Sequence, residues 1–257
     1  MSWLAVWLVG LGLADLVRAA SGGSTRWSVP AGAATVVALA LLGGLTTPVD
    51  LVVLAASLLP LVLWQRLSRQ AVDTGTGHVG ALVALGAGIA WLLGLSGWAS
   101  PLGGVFGRWL AWADLPLVGD QHSAGRVLLV LGLVLVNLST ANVLVRLVLV
   151  AVGAMRPVIP DDLATADDPQ PSDQLRGGRL LGPMERVLIL GLGLTGQLTA
   201  AGLVIAAKGL IRFPELQATR KDGSGVDGVG IDHVTEYFLV GSFVSWLVAL
   251  TSLALTR

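Results

Sequence analysis

The twelve residues from Arg186 to Gln197 read R-V-L-I-L-G-L-G-L-T-G-Q. They hold the spacing Gly-x-Gly-x-x-Gly at Gly191, Gly193 and Gly196, behind an apolar run. Glu215 follows at about the distance where an acid binds a ribose hydroxyl. In a strand–turn–helix unit, such glycines let the pyrophosphate of a dinucleotide approach a helix N-terminus. The surroundings do not suit that unit. A polar loop lies upstream, a glycine-rich loop lies downstream, and Val187 to Ala207 is 21 residues without a charge. Glycines at this spacing also let membrane helices approach closely. The packing reading is adopted, and no cofactor is expected.

The other chemistry-bearing residues are sparse. His78, His122 and His233 fall at helix ends or in loops, without a second ligand at metal spacing. There is no cysteine, which removes disulfides, thiolate metal sites and cysteine nucleophiles. No nucleophile elbow, zinc His-Glu-x-x-His or phosphate-binding loop is present. No catalytic or metal-binding residue is therefore assigned.

Polar groups inside apolar runs are more informative. Asp15, Asn137, Asn142, Arg146 and Gln197 stand within or near such runs, as do Ser139, Thr140, Thr195 and Thr199. Asn142 and Arg146 are four apart and share a helix face. Asp15 can pair with Arg18, and Arg146 can reach a helix end. Ionisable groups at such depth are functional candidates by default. Asn, Gln and Thr there usually make interhelical hydrogen bonds, and that structural reading is preferred for the group.

A further set frames the last two apolar runs. Pro183 suits a first helical turn, which sets Glu185 at the positive end of the helix dipole. Lys208 suits the negative end, followed by Arg212 and Phe213. Lys208 is 23 residues after Glu185, about 35 Å along one helix. On that count the two lie on opposite membrane faces. Lys208, Arg212 and Glu236 would then share a face and form an ion pair or small network, with Tyr237 beside them.

The elements that must position these groups follow from composition. The chain has 257 residues, 54% hydrophobic and 12% charged, with 16 basic and 16 acidic side chains. Soluble domains carry about 25% charged residues. So apolar a chain needs lipid as its solvent. Zero net charge offers no global field for nucleic acid. A spanning helix needs ~20 mostly apolar residues. The runs that qualify are Trp3–Val17, Ala31–Leu45, Val49–Trp64, Val79–Trp98, Val127–Val152, Val187–Ala207 and Tyr237–Leu255. The fold expected is an all-α, polytopic transmembrane helical bundle of about seven spanning helices. No basic residue precedes the first run and Asp15 interrupts it, so it reads as a retained helix rather than a cleaved signal.

Residues 101–119 are apolar but contain Arg108, Asp114, Pro116 and four glycines. A charge at a helix centre costs about 2.5–3.5 kcal/mol on insertion scales. With Trp98, Trp109 and Trp112 close by, this stretch reads as a Trp-rich interfacial segment, with a re-entrant element as the sharper option. Three regions result. Residues 1–153 form a five-helix membrane region. Residues 154–183, with their aspartates and prolines, form a flexible polar loop. Residues 184–257 form a two-helix region with a long intervening loop. On seven spans, ten basic residues fall on one side and six on the other. The rule that basic loops stay cytoplasmic then puts residue 1 outside and residue 257 inside.

Three segments resemble a known family. Gly178 to Arg186 is similar to its Gly-x-Leu-Ile-Gly-x-Leu-Glu-Arg opening. Ala206 to Phe213 is similar to Ala-Ala-Lys-Ser-Ile-x-Arg-Phe, and Glu236 to Ser245 to Glu-Tyr-x-Leu-Ile-Gly-Thr-x-x-Ser. The family is the uncharacterised bacterial membrane-protein group catalogued as domain of unknown function 3307, and the likeness covers about residues 178–250. It implies no activity. It raises the weight on Glu185, Arg186, Lys208, Arg212, Phe213, Glu236, Tyr237 and Gly241. The family's N-terminal histidine-and-aspartate helix motif is matched here only at Asp15.

The functional expectation has three ranked forms. The first is a non-enzymatic component of the bacterial inner membrane, with the lipid bilayer, a second copy or another membrane protein as partner. The second is a small permease or channel with a polar path between the fifth and sixth helices. The third is a membrane enzyme acting on a lipid or isoprenoid, with Asp232, His233 and Glu236 as the nearest thing to a clustered site.

Overall fold

The computed structural model describes residues 1–113, 124–155, 178–221 and 231–256. All regular structure among them is helical. In chain order the helices are α1 (Ser2–Ala20), α2 (Thr25–Leu42), α3 (Pro48–Thr74), α4 (His78–Gly94), α5 (Gly104–Ala113) and α6 (Ala124–Leu135). A π-helical turn, Val136–Thr140, joins α6 to α7 (Ala141–Ala151). Then come α8 (Gly178–Leu194), α9 (Leu198–Lys221) and α10 (Ile231–Ala254).

Five described helical stretches are long and apolar enough to cross a membrane: Ser2–Ala20, Thr25–Leu42, Pro48–Thr74, Ala124–Ala151 and Glu236–Ala254. His78–Gly94 and Leu198–Leu210 are apolar but shorter. The chain is thus built to sit in a membrane, and five such helices stand where seven were expected. Two compact units divide it. One comprises Met1–Arg69 and Val79–Thr140, the other Gln70–His78 and Ala141–Leu255, with residues 256 and 257 assigned to the first and second.

In the first unit α1 is the central helix. Every residue from Ser2 to Gly12 is buried, so its apolarity on all sides matches a helix enclosed by others. Gly12 shows how closely its neighbour approaches. A Cβ there would stand 2.6 Å from the Cβ of Leu135 on α6. On the α3 side, the Trp7 indole N–H donates to the Ser57 carbonyl at 2.9 Å. α3 opens on Thr47-Pro48-Val49-Asp50. The Asp50 backbone N–H donates to Thr47 Oγ1 at 3.2 Å, and Pro48 occupies the first helical position, where a missing N–H costs nothing.

The π turn sits between α6 and α7. Its wider register disturbs the helical hydrogen-bond ladder. Asn137 Nδ2 donates back to the Leu133 carbonyl at 2.8 Å. Ser139 Oγ lies 2.7 Å from both the Leu135 and Gly12 carbonyls, which ties the π turn to α1.

α5 is a ten-residue helix docked beside the α2–α3 turn. The Gly103 N–H donates to the Gly43 carbonyl at 2.9 Å, and the Ser100 N–H to Asp50 Oδ1 at 3.4 Å. Trp98, Trp109 and Trp112 are all exposed. That short length and exposed indole edge suit the interfacial reading of this segment. Residues 114–119 of the expected segment lie outside the described residues.

In the second unit the chain departs from expectation. Val187–Ala207 is not one helix. α8 stops at Leu194 and α9 begins at Leu198, folding back beside α8. The stop is a Schellman turn: the Gln197 N–H donates to the Leu192 carbonyl and the Gly196 N–H to the Gly193 carbonyl. Gly196 sits at φ +77°, where a side chain would be strained. Thr195 Oγ1 takes up the Leu192 carbonyl at 3.0 Å. Ile189, Ala201 and Ala249 then form the buried contact among α8, α9 and α10.

Candidate functional site

The dinucleotide spacing resolves into helix packing and a turn. Residues Val187–Leu190, which would have to be a strand, lie inside α8. A Cβ on Gly193 would overlap the Leu253 side chain of α10, whereas one on Gly191 would meet nothing. Gly196 makes the turn. The expected ribose acid, Glu215, falls within α9.

Because of that turn, Glu185 and Lys208 are neighbours. The Lys208 ammonium donates to Glu185 Oε2, and Trp246 Nε1 donates to Glu185 Oε1 at 2.8 Å. The same ammonium stands 5.9 Å from the centre of the Trp246 ring, within cation–π range. The expectation that Glu185 and Lys208 lie on opposite faces is overturned, since it counted 23 residues along a helix that the chain does not form. Arg186 is buried on the next position. One guanidinium nitrogen donates to Ser245 Oγ at 3.0 Å and the other to Asn142 Oδ1. Six side chains from α7, α8, α9 and α10 therefore form one polar cluster. Ser245 and Trp246 are midway along the apolar helix Glu236–Ala254, so the cluster is at the middle of a candidate span.

The remaining expected site residues divide as follows. Glu236 is exposed, ten residues before Trp246 on α10, about 15 Å along the helix. Lys208 is engaged by Glu185 at the Trp246 level, so the expected Lys208–Glu236 pair gives way to Lys208–Glu185. The side chains of Arg212, Phe213, Asp232 and His233, and all of His122, lie outside the described residues. Tyr237 is half-buried near the start of α10. Gly241 stands opposite α7, where a Cβ would make ordinary contact with Leu149 at 3.6 Å. Arg146 is half-buried on α7, one turn beyond Asn142. Gln197, expected inside the apolar run, is instead exposed at the α8–α9 turn.

Asp15 belongs to a second cluster, larger than the expected Asp15–Arg18 pair. Asp15 Oδ1 accepts from Arg18 at 2.7 Å and from Gln65 Nε2 at 2.8 Å, and its Oδ2 accepts from Trp64 Nε1 at 3.0 Å. Arg18 also donates to Ser68 Oγ at 2.7 Å, and Gln65 Oε1 accepts from Ser28 Oγ at 3.1 Å. The cluster ties α1, α2 and α3 together. A third group joins Trp3 Nε1 to Asp50 Oδ1 at 2.6 Å, with Thr47 Oγ1 on Asp50 Oδ2 at 2.6 Å. Trp64, Gln65, Ser68, Asp50 and Trp3 were not singled out by sequence. Only Asp50 had a readable signal, the Thr-Pro-x-Asp helix start. Among the described residues no group of three or more His, Asp or Glu side chains is placed to hold a metal ion.

The described residues form an all-helical structure with five helices long and apolar enough to cross a membrane, which is compatible with a membrane protein. Compared with protein-family models, with curated proteins and with solved structures, the chain gives no match.

Proposed function

We propose that this chain is a non-enzymatic component of the bacterial inner membrane that assembles with a second copy or with another membrane protein. One observation carries the reading: the Glu185–Lys208–Trp246 contact, with Arg186 held by Asn142 and Ser245, joins four helices through side chains that engage one another. A charge placed alone at the centre of a span costs about 2.5–3.5 kcal/mol. Paired and hydrogen-bonded, it instead fixes which helices meet and in what register. The likeness to the domain-of-unknown-function-3307 group belongs to the same proposal, because Glu185, Arg186 and Lys208 fall in its motifs. Mild-detergent purification tests the reading. A stoichiometric partner or a stable oligomer supports it. A monomer that moves solute across liposomes overturns it.

A second reading, a small permease, draws support from the same position. Ionisable groups at mid-span line substrate or proton routes in transporters, often beside broken helices such as α8–α9. Solute flux in liposomes that Glu185→Gln abolishes, in protein that stays folded, would establish it over the first.

A further inference from the structure

The directions in which the helices run determine which connections share a membrane face. Take the second unit alone. Glu185 meets Trp246, Arg186 meets Ser245, and Gly193 approaches Leu253, so α8 and α10 run parallel. α9 folds back antiparallel to both, packed beside them. Gly241 faces Val145 and Leu149, while Asn142 meets Arg186 at the level of Ser245, so α7 runs antiparallel to α10. The end of α7, the start of α8, the end of α9 and the start of α10 therefore share one face. The turn at Thr195–Gln197 and the end of α10 share the other.

The first unit can be read the same way. Trp3 meets Asp50, Trp7 meets Ser57, Asp15 meets Trp64 and Arg18 meets Ser68, so α1 and α3 run parallel. Gly132 approaches Leu8 and Gly12 approaches Leu135, so α6 runs with α1. A Cβ on Gly88 would meet Pro60 at 3.0 Å and one on Gly80 would meet Leu67 at 3.8 Å, so α4 returns against α3. The start of α1, the α2–α3 turn, α5 and the start of α6 share a face. The α1–α2 turn and the Arg66–Arg69 stretch of α3 share the other.

We infer that the chain crosses the bilayer eight times, with residues 1 and 257 both outside and both long polar loops in the cytoplasm. The inference rests on membrane residence and adds the sidedness. The crossings are the five long apolar stretches, in α1, α2, α3, the run α6–α7 and α10, together with the shorter α4, α8 and α9, and α5 lies at the outer interface. The basic residues supply an independent check. In the first unit Arg18, Arg26, Arg66 and Arg69 fall on the face of the α1–α2 turn, against Arg108 and Arg126 on the opposite face. In the second, Arg179 stands at the start of α8 and Arg220 and Lys221 at the end of α9, on the loop face, and by sequence Arg156 and Arg176 belong to the loop between α7 and α8. Arg257 alone falls opposite. Each unit by itself therefore assigns an inner face. Of 16 basic residues, nine are then inside, three outside, and Arg146, Arg186, Lys208 and Arg212 within the bilayer. The ten-to-six division on seven spans becomes nine to three.

The absence of cysteine makes the test direct. Single variants T46C, T76C, Q197C and S224C in the full chain are treated with a membrane-impermeant maleimide, first on intact spheroplasts and then after lysis. T46C and Q197C should label from outside, and T76C and S224C only after lysis. A periplasm-active enzyme fused after Arg257 should be active. Labelling of S224C from outside, with Q197C protected and the fusion inactive, would restore one span across Val187–Ala207 and overturn the inference. If the chain fractionates without membranes, the membrane reading itself fails, a result distinct from a reversed labelling pattern.

Discussion

Glu185 and Lys208 lie 23 residues apart in the chain and form one ion pair, because the chain reverses at Gly196 between them. A straight helix would hold them about 35 Å apart. The pair therefore reports the turn, and the turn decides where everything after residue 196 lies.

Lys208→Met should leave the Glu185 carboxylate buried with the Trp246 indole N–H still donating to it. Stranding one member of a buried pair costs about 3–5 kcal/mol. The double variant Glu185→Gln with Lys208→Met should recover a good part of that. Denaturant unfolding in detergent micelles would check this. Costs that simply add would remove the pair as a stability element.

Gly196→Val should weaken the α8–α9 turn. A β-branched side chain at φ +77° costs roughly 1–2 kcal/mol. Gly196→Asn should cost less, since Asn tolerates that region. Thermal inactivation of the two variants gives the comparison, and equal midpoints would argue against the turn.

Gly12→Leu should disturb the first unit. Its Cβ would meet Leu135 Cβ at 2.6 Å and the Leu135 carbonyl carbon at 2.9 Å, with backbone that cannot yield cheaply. Overpacking of this kind costs about 1–3 kcal/mol. Gly97→Leu, where nothing lies within 4 Å of the added Cβ, serves as the control. Yield and melting point in detergent should fall for the first and hold for the second.

Asp15→Ala should be the most damaging single change in the first unit. It removes the acceptor shared by Arg18, Trp64 and Gln65. The expected cost is about 3–5 kcal/mol, because the Arg18 guanidinium is then buried without its carboxylate. Trp64→Phe removes one donor and should cost about 1 kcal/mol. A ranking in the opposite order would show that the carboxylate is not the centre of the cluster.

Composition and run length pointed to an all-helical chain with several helices long and apolar enough to cross a membrane, because lipid is the solvent that so apolar a chain needs. They also located α1, α2, the long run through α7, and α10, whose apolar stretches are close to a bilayer's thickness. The Asp15–Arg18 pair was legible for a similarly local reason: residues three apart on a helix meet. Tertiary structure alone decided the rest. Val187–Ala207 is equally apolar whether it crosses once or turns at Gly196, since hydropathy sums residues without regard to the φ of one glycine. Asp15 meeting Trp64 and Gln65, or Arg186 meeting Asn142 and Ser245, depends on which helices pack and in what register. That selection is made by close approach at residues such as Gly12 and Gly193, across separations that no local pattern records.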